Sequence, residues 1–272
     1  MITLSIIIVT FNTKDLTIQC LDSLFKYYKK EIEDNKFEVI VVDNNSSDAT
    51  VGFFKKIYKK ILVIENSENV GFGKGNNIGS KKANGEFLLF LNSDAVINDS
   101  STIHIMVNFL NNRNDVGVVG GKSAGHFYSL LHVFLENHFV PKIKQEVDWV
   151  EGSFFLTRGD LFKEINGFDE HFFMYAEDME LCFRIKKLGY KIFFLPESQV
   201  IHLGQGSSSR SFAIIQIYKG IQYFYKKHKS SVEYTVLRLL LMLKALAAII
   251  IGAITGNNYL LKTYKQAFLS TL

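Results

Sequence analysis

Three short runs of apolar residues constrain this chain more than any other feature. Residues 4–11 (LSIIIVTF), 37–42 (FEVIVV) and 87–91 (FLLFL) are continuous rather than alternating. That is the pattern of strands covered on both faces, as in parallel sheets sandwiched between helices. Between them the period changes. Over residues 14–30, Leu16, Cys20, Leu21, Leu24, Phe25 and Tyr28 recur at helical spacing and define one buried face. Residues 49–60, 73–82 and 100–111 also read as helices, and 61–64 and 116–119 as strands. Strands alternating with helices at this spacing predict an α/β fold with a mainly parallel sheet and right-handed crossovers.

Beyond residue 120 the pattern loosens. Residues 121–148 lack clear periodicity. Residues 149–157 (WVEGSFFLT) read as one strand, 160–165 as a helix capped by Asp160, 177–188 as an amphipathic helix, and 191–195 and 199–201 as strands. With 272 residues the chain suits one α/β domain carrying an appendage. A hydrophobic content of 47% excludes disorder, and a net charge of +4 is too small to imply nucleic acid as a partner. Cys20 and Cys182 sit in helix-like stretches without metal spacing, which predicts buried thiols in a reducing compartment. Met1 leads directly into an apolar strand without a basic segment or cleavage site, so a cytoplasmic catalytic part is expected.

In open α/β sheets ligands bind at the carboxyl ends of the strands. Polar clusters follow the strands here repeatedly, at residues 10–12, 43–48, 66–79 and 92–94. Asn, Asp, Ser and Gly also form ordinary turns, but four such clusters after successive strands point to a ligand site. The glycine-rich stretch from Asn69 to Gly79 (NVGFGKGNNIG) is not a P-loop, because Gly75 rather than Ser or Thr follows Lys74. It is not a dinucleotide fingerprint either, since Asn76 stands at the sixth position and the stretch follows the third strand. It suits a backbone nest for a pyrophosphate or ribose beside a helix N-terminus, or a plain tight turn. Asp94, at a strand end, is a natural ligand for Mg²⁺ or Mn²⁺ bridging to phosphates; a capping role for it is weakened because Ser100 is placed to cap the next helix. Glu177 and Asp178 open a helix after an aromatic run; acids in a first helical turn are common for dipole reasons alone, and acids beside apolar rings also suit a general base. His202 precedes the Gly- and Ser-rich segment 204–209, which suits a metal or phosphate contact on a mobile loop.

Taken in order, IIIVTFN, VIVVDNNSSD, NVGFGKGNNIG, FLLFLNSDA and the long stretch from Trp149 to about residue 209 resemble glycosyltransferase family 2, and within it the bacterial rhamnosyltransferase-like members. The resemblance implies a GT-A fold over residues 1–210, with a nucleotide-binding half to about residue 120 and an acceptor-binding half beyond it. Thr10, Asn12 and Asp43 match positions around the pyrimidine and ribose. Asn69, Gly71, Lys74 and Asn76 match the loop around the ribose and diphosphate. Asn92-Ser93-Asp94 stands in the family's Asp-x-Asp place, with Ser93 on the nucleotide side and Asp94 holding Mg²⁺ or Mn²⁺. His202 matches a residue that completes the metal or diphosphate site. Asp178 matches the catalytic base of an inverting, in-line displacement, and Trp149, Glu151 and Glu177 the acceptor side. The donor implied is dTDP-rhamnose, with UDP-sugars read by the same pyrimidine contacts, and the acceptor a lipid-linked glycan. The Gln-x-x-Arg-Trp pattern of processive synthases is missing, which favours addition of one sugar.

Residues 211–272 form a helical appendage. Residues 236–254 are about as long as a bilayer span, but Arg238 and Lys244 interrupt them. A helix lying on the membrane surface or packing in a homo-oligomer is expected, with Lys226, Lys227 and Lys229 on anionic headgroups. Two rival readings differ in kind. A nucleotidyltransferase would want a glycine-rich basic loop after the first strand, where TFNTK stands. A catalytically silent scaffold is favoured by Asn92 alone and opposed by the intact Asp94, Asp178 and His202.

Overall fold

A computed structural model describes residues 2–121, 124–125, 140–203 and 209–272. The chain forms two compact units, one made of Met1–Gly125, His138–His171 and Asp178–Ser207, the other of His126–Asn137, Phe172–Glu177 and Ser208–Leu272.

The first unit is built on an eight-stranded sheet. Its half carrying β1 (Leu4–Thr10), β2 (Phe37–Asp43), β3 (Ile61–Glu65) and β4 (Phe87–Leu91) is parallel, in the order β3-β2-β1-β4. The helices between these strands are α1 (Lys14–Glu33), α2 (Thr50–Ile57) and α3 (Phe72–Ser80). Alternate side chains of β1 face opposite ways, as a strand requires. Leu4, Ile6 and Ile8 are fully buried in a core that includes Leu21, Leu24 and Tyr28 of α1. Ile7 faces α3. There a Cβ on Gly79 would stand 2.6 Å from the Ile7 Cγ2, and one on Gly75 would stand 3.0 Å from Val9. The glycines thus let the helix lie closer to the strand than any side chain would allow.

Beyond β4 come β5 (Ala95–Ile97), α4 (Thr102–Asn111), β6 (Val116–Gly120), β7 (Ala124–Gly125), β8 (Gln145–Val147), β9 (Trp149–Val150), β10 (Phe154–Arg158) and α5 (Gly159–Glu164). Then follow α6 (Glu177–Lys187), β11 (Lys191–Phe194) and β12 (Val200–His202). The main sheet continues past β4 as β10-β6-β11-β8, with β10 antiparallel to both neighbours and β6 parallel to β11. Two small antiparallel pairs, β12 with β5 and β7 with β9, stand outside it. Cys20 and Cys182 are buried free thiols, and burial pushes both well above the usual thiol range.

Several local expectations are corrected. The single strand read over residues 149–157 is two, in different sheets, because at Glu151–Gly152–Ser153 the Gly152 amide turns to the Asp178 carboxylate and the Ser153 carbonyl to the Asn92 amide. Ser100 does not cap α4. The helix starts at Thr102, the Asp99 carboxylate accepts from the Ser101 amide at 2.7 Å, and the Tyr28 hydroxyl accepts from the Ile103 amide at 2.9 Å. Tyr28 breaks the helical backbone of α1 at φ −127°, and burial lifts its hydroxyl to about 12, so it stays protonated. Asp160 is not a cap, since Arg158 holds that position and Asp160 lies inside the first turn of α5. The helix read over 49–60 ends at Ile57, where Tyr58 leaves helical geometry and donates to Asp22 at 2.6 Å.

The second unit contains α7 (Arg210–His228), α8 (Ser231–Thr255) and α9 (Asn258–Leu269). A capping box between Ser230 and Glu233 starts α8, and Gly256 at φ +67° ends it. The Arg238 guanidinium donates to the carbonyls of Thr271 and Leu272 just past α9, so its charge is engaged by backbone. Ser211 and Thr263 tie α7 to α9 through their hydroxyls at 2.7 Å. Tyr175 and Ala176 are both left-handed, at φ 69° and 71°. Non-glycine residues held so cost of order 1–3 kcal/mol each. Gly220 of α7 leaves room for them, since a Cβ there would stand 2.8 Å from the Tyr175 carbonyl oxygen.

Two glycine substitutions are expected to act with opposite signs. Gly79→Val drives a branched side chain into Ile7 and Val42 and should lower unfolding stability by about 3 kcal/mol. Gly52→Ala in α2 meets open space and should raise it by up to about 1 kcal/mol. Urea titration of the two variants checks both; equal midpoints would contradict this packing.

Candidate functional site

Because β1, β2 and β4 are parallel, their carboxyl ends emerge on one edge, and this brings the polar clusters together. The β2 end supplies Asp43, which is only 3% exposed. Its Oδ2 accepts from the Ser46 amide at 2.9 Å, while its Oδ1 finds no partner among the described residues. A buried carboxylate oxygen without a donor is costly, and a ligand N–H would satisfy it. Asn12, left-handed at φ 53°, reaches the same segment. Its side-chain oxygen accepts from the Ser47 amide at 2.8 Å, and its amide donates to the Ser46 hydroxyl.

Thr10 lies deeper than a ligand contact would require. It is 1% exposed, and its hydroxyl bonds those of Thr13 and Thr17 at 3.0 and 2.9 Å. The hydroxyl of Thr13 meets that of Ser93 at 3.2 Å. This buried cluster joins the end of β1 to the loop after β4.

The glycine-rich stretch is fastened to the β2 end through Asn44, a residue the sequence reading passed over. The Asn44 amide donates to the Gly71 carbonyl at 3.0 Å and to the Asn69 side-chain oxygen at 3.2 Å, and its own oxygen accepts from Asn66. Asn69 in turn accepts from the Gly71 amide at 3.0 Å. Gly71 takes φ 85° with ψ near 180°, which only glycine adopts comfortably, and α3 begins at the next residue. Helix N-terminal amides are thereby presented where the resemblance places a diphosphate. Asn76 is buried and bonds the Phe72 carbonyl, whereas Lys74 is half-exposed, 4.0 Å from Glu170. Asn77 donates to the Phe168 carbonyl and to Glu170, and accepts from the Phe168 amide, which locks this loop to the 167–170 turn.

Asp94 and His202 come together. Antiparallel pairing of β12 with β5 sets His202 opposite Ala95, and the Leu203 amide donates to the Asp94 carbonyl at 2.9 Å. The His202 Nε2 stands 3.1 Å from the Asp94 Oδ1, and Asp94 is 4% exposed. Neighbouring ligands of an octahedral ion at about 2.1 Å are about 3 Å apart, so this oxygen–nitrogen pair fits a divalent ion. Among the described residues no group of three His, Cys, Asp or Glu forms a closed metal cage. An ion held here would draw its other ligands from phosphate and water, as Mg²⁺ commonly does. Asn92 stands beside the pair, its side-chain nitrogen 3.4 Å from the His202 Nε2. Residues 204–208, where a mobile loop was expected, lie outside the described residues.

Asp178, in the first turn of α6, is oriented by backbone. Its Oδ2 accepts from the Gly152 amide at 2.7 Å and its Oδ1 from the Met179 amide at 2.7 Å. A Cβ on Gly152 would stand 3.2 Å from that of Asp178, so the close approach requires little or no side chain. The next residue, Ser153, accepts at its carbonyl from the Asn92 amide at 2.9 Å, and its hydroxyl donates to Glu151. Gly152 and Ser153 therefore tether Asp178 to the loop that carries Asp94. The signal for this role was a glycine inside a strand-like run, which commonly marks a close backbone approach. Trp149 is 8% exposed in β9 of the same unit, and Glu177 is buried at 5% in the second unit.

The family model for glycosyl transferase family 2 matches residues 5–180. The rhamnosyltransferase WbbL of Escherichia coli K12 is 27% identical over 237 residues, 76% of this chain and 85% of WbbL. The O-antigen chain rhamnosyltransferase WbaN of Salmonella anatum is 26% identical over 177 residues, 61% of this chain and just 56% of WbaN. Among solved structures, mannosyltransferase PcManGT from Pyrobaculum calidifontis, in complex with GDP-Man and Mn²⁺, superposes with a TM-score of 0.63 at 19% identity, covering 98% of this chain and 85% of that one. At that identity the likeness shows the fold, which is GT-A. The family match takes in the strand-end clusters from Thr10 to Asp178, and on that ground the chain belongs to glycosyl transferase family 2 and is a glycosyltransferase.

Proposed function

We propose that this chain is an inverting, metal-dependent transferase that moves one rhamnose from dTDP-rhamnose to a lipid-linked glycan acceptor during cell-surface glycan synthesis. It would work on the cytoplasmic face of a bacterial plasma membrane. The observation that carries the reading is the tether at Gly152 and Ser153, which joins a backbone-oriented carboxylate, Asp178, to the loop bearing Asp94, beside which β12 sets His202. The choice of rhamnose is supported by similarity to rhamnosyltransferases. UDP-sugars form the second donor class, because thymine and uracil offer the same N–H to Asp43.

In this reading Asp43 accepts from the base with its unpartnered Oδ1, with Asn12 beside it, while Thr10, its hydroxyl engaged by Thr13 and Thr17, supports the end of β1 from within. Asn69, Gly71, Lys74 and Asn76 surround the ribose and diphosphate, with Ser93 on the nucleotide side. Asp94 and His202 hold Mg²⁺ or Mn²⁺, which when bound offsets the charge of the departing diphosphate. Trp149, Glu151 and Glu177 line the acceptor side. Asp178 takes the proton of the acceptor hydroxyl as that oxygen attacks the anomeric carbon from the face opposite the leaving group, so the configuration inverts. A base already fixed by two amides loses little freedom on reaching this geometry.

Purified protein with Mn²⁺, a lipid-linked acceptor pool and a panel of dTDP-rhamnose and common UDP-sugars should release nucleoside diphosphate from dTDP-rhamnose. Asp178→Asn retains an oxygen for Gly152 but loses the base, and should cut turnover by about 10²–10⁴ while binding dTDP as the wild type does. Release from a UDP-sugar instead would overturn the donor assignment. Undiminished release in the variant would overturn the role of Asp178.

Asp43 supports a second expectation. Asp43→Asn should weaken dTDP binding tenfold or more in calorimetry, about 1.4 kcal/mol. Unfolding stability should stay within about 1 kcal/mol, because the Ser46 contact can persist. Unchanged affinity would place the base elsewhere.

A further inference from the structure

Helix α8 presents an apolar face that its own unit leaves open. Val232, Val236, Leu239, Leu243, Leu246 and Ile250 recur at alternating spacings of four and three and are all exposed, from 40% at Val236 to 72% at Val232. The stripe runs about 27 Å at 1.5 Å per residue. The opposite face is covered, with Leu237, Leu241, Ala245 and Gly252 buried within the α7–α8–α9 unit.

The spacing would suit a two-stranded coiled coil, but the flanks do not. Such a seam is narrow and bordered by charged residues. Here the bordering positions are Glu233 and Thr235 in the first turn and then Leu240, Met242, Ala247 and Ile249. Beyond its first turn the open face is therefore about half the helix circumference and uncharged, which fits hydrocarbon better than a second copy of the chain.

By length and composition α8 could cross a bilayer. Its neighbours argue against that. A Cβ on Gly252 would stand 3.0 Å from Leu260, and Arg238 meets Thr271, so α9 runs antiparallel along α8. That pairing sets exposed Lys265 near the middle of α8 and exposed Lys262 about a turn nearer its C-terminal end. Exposed Lys219, Lys226 and Lys227 stand on α7, which packs against the same helices. A span would carry Lys244 of α8 itself, and Lys265 beside it, into hydrocarbon, where each is costly. We infer that α8 lies in the plane of an anionic bilayer, its open face in the acyl boundary and the lysines at the end of α7 among the headgroups.

The choice of lipid rests on the reading of a membrane-borne acceptor. The test uses neither donor nor acceptor, so docking and transfer fail separately. The full chain should float with vesicles of equal parts phosphatidylglycerol and phosphatidylcholine, and much less with phosphatidylcholine alone. The double variant Leu243→Glu, Ile250→Glu changes only exposed positions and, with circular dichroism unchanged, should bind at least tenfold less. Equal binding by the variant would overturn the proposal. So would a lipid-free dimer that the variant dissociates while vesicle binding persists. Cys20 and Cys182 are buried, so Val236→Cys, Leu243→Cys and Ile250→Cys can each be labelled selectively with a fluorophore. Depth-dependent quenching should place all three at one shallow depth. A label at 243 markedly deeper than those at 236 and 250 would show a span and overturn the in-plane arrangement.

Discussion

The site depends on how closely α3 lies against β1. Gly79 sits where a methyl group would overlap Ile7, and Gly75 where it would press on Val9. Only because these positions are glycine can the helix start beside the ends of β1 and β2. Asn44 can then bridge Asn69 and Gly71, and α3 begins immediately after Gly71. A larger residue at either position would move the loop before it moved the sheet, whose central strands are buried on both faces. The same logic operates at Gly152, where the lack of a side chain brings the backbone to Asp178 and holds that carboxylate against the loop of Asp94.

Most of the parallel half of the sheet was legible in the sequence for a simple reason. Buried parallel strands must be apolar without interruption, so LSIIIVT, FEVIVVD and FLLFL announce the strands, and the polar residues that succeed them announce the edge where their carboxyl ends meet. The ordered motifs then named Asp43, Asp94, Asp178 and His202, and the fold brings Asp94 and His202 into contact. The illegible parts depended on partners distant in sequence. Nothing local to Ser100 reveals that Tyr28, more than 70 residues earlier, satisfies the Ile103 amide of α4. Strand propensity in residues 149–157 hides a break, because Gly152 is needed by Asp178 and the halves belong to different sheets. Asn44 read as one more turn former, and its bridging role exists only once β2 and the glycine loop are adjacent. Thr10 is burdened differently from its resemblance-based role, since its hydroxyl is occupied by Thr13 and Thr17.

The helical unit follows another principle. Its second helix is apolar nearly all round, which in a water-soluble bundle would mean full burial. Yet Leu243 is 62% exposed, while Leu241, two residues earlier, is 3% exposed. Arg238 resolves part of the conflict seen in the sequence, because its charge is spent on carbonyls at the end of α9 rather than left among apolar neighbours.

The central claim is that Asp94 and His202 are built to hold a divalent ion against the diphosphate of a bound nucleotide. Calorimetric titration of dTDP into the wild type, with and without Mn²⁺, tests it most directly, repeated in His202→Ala. The account predicts that Mn²⁺ tightens dTDP binding at least tenfold in the wild type and that most of this gain disappears in the variant. Equal dTDP affinity with and without the ion, in a protein shown to be folded, would contradict it.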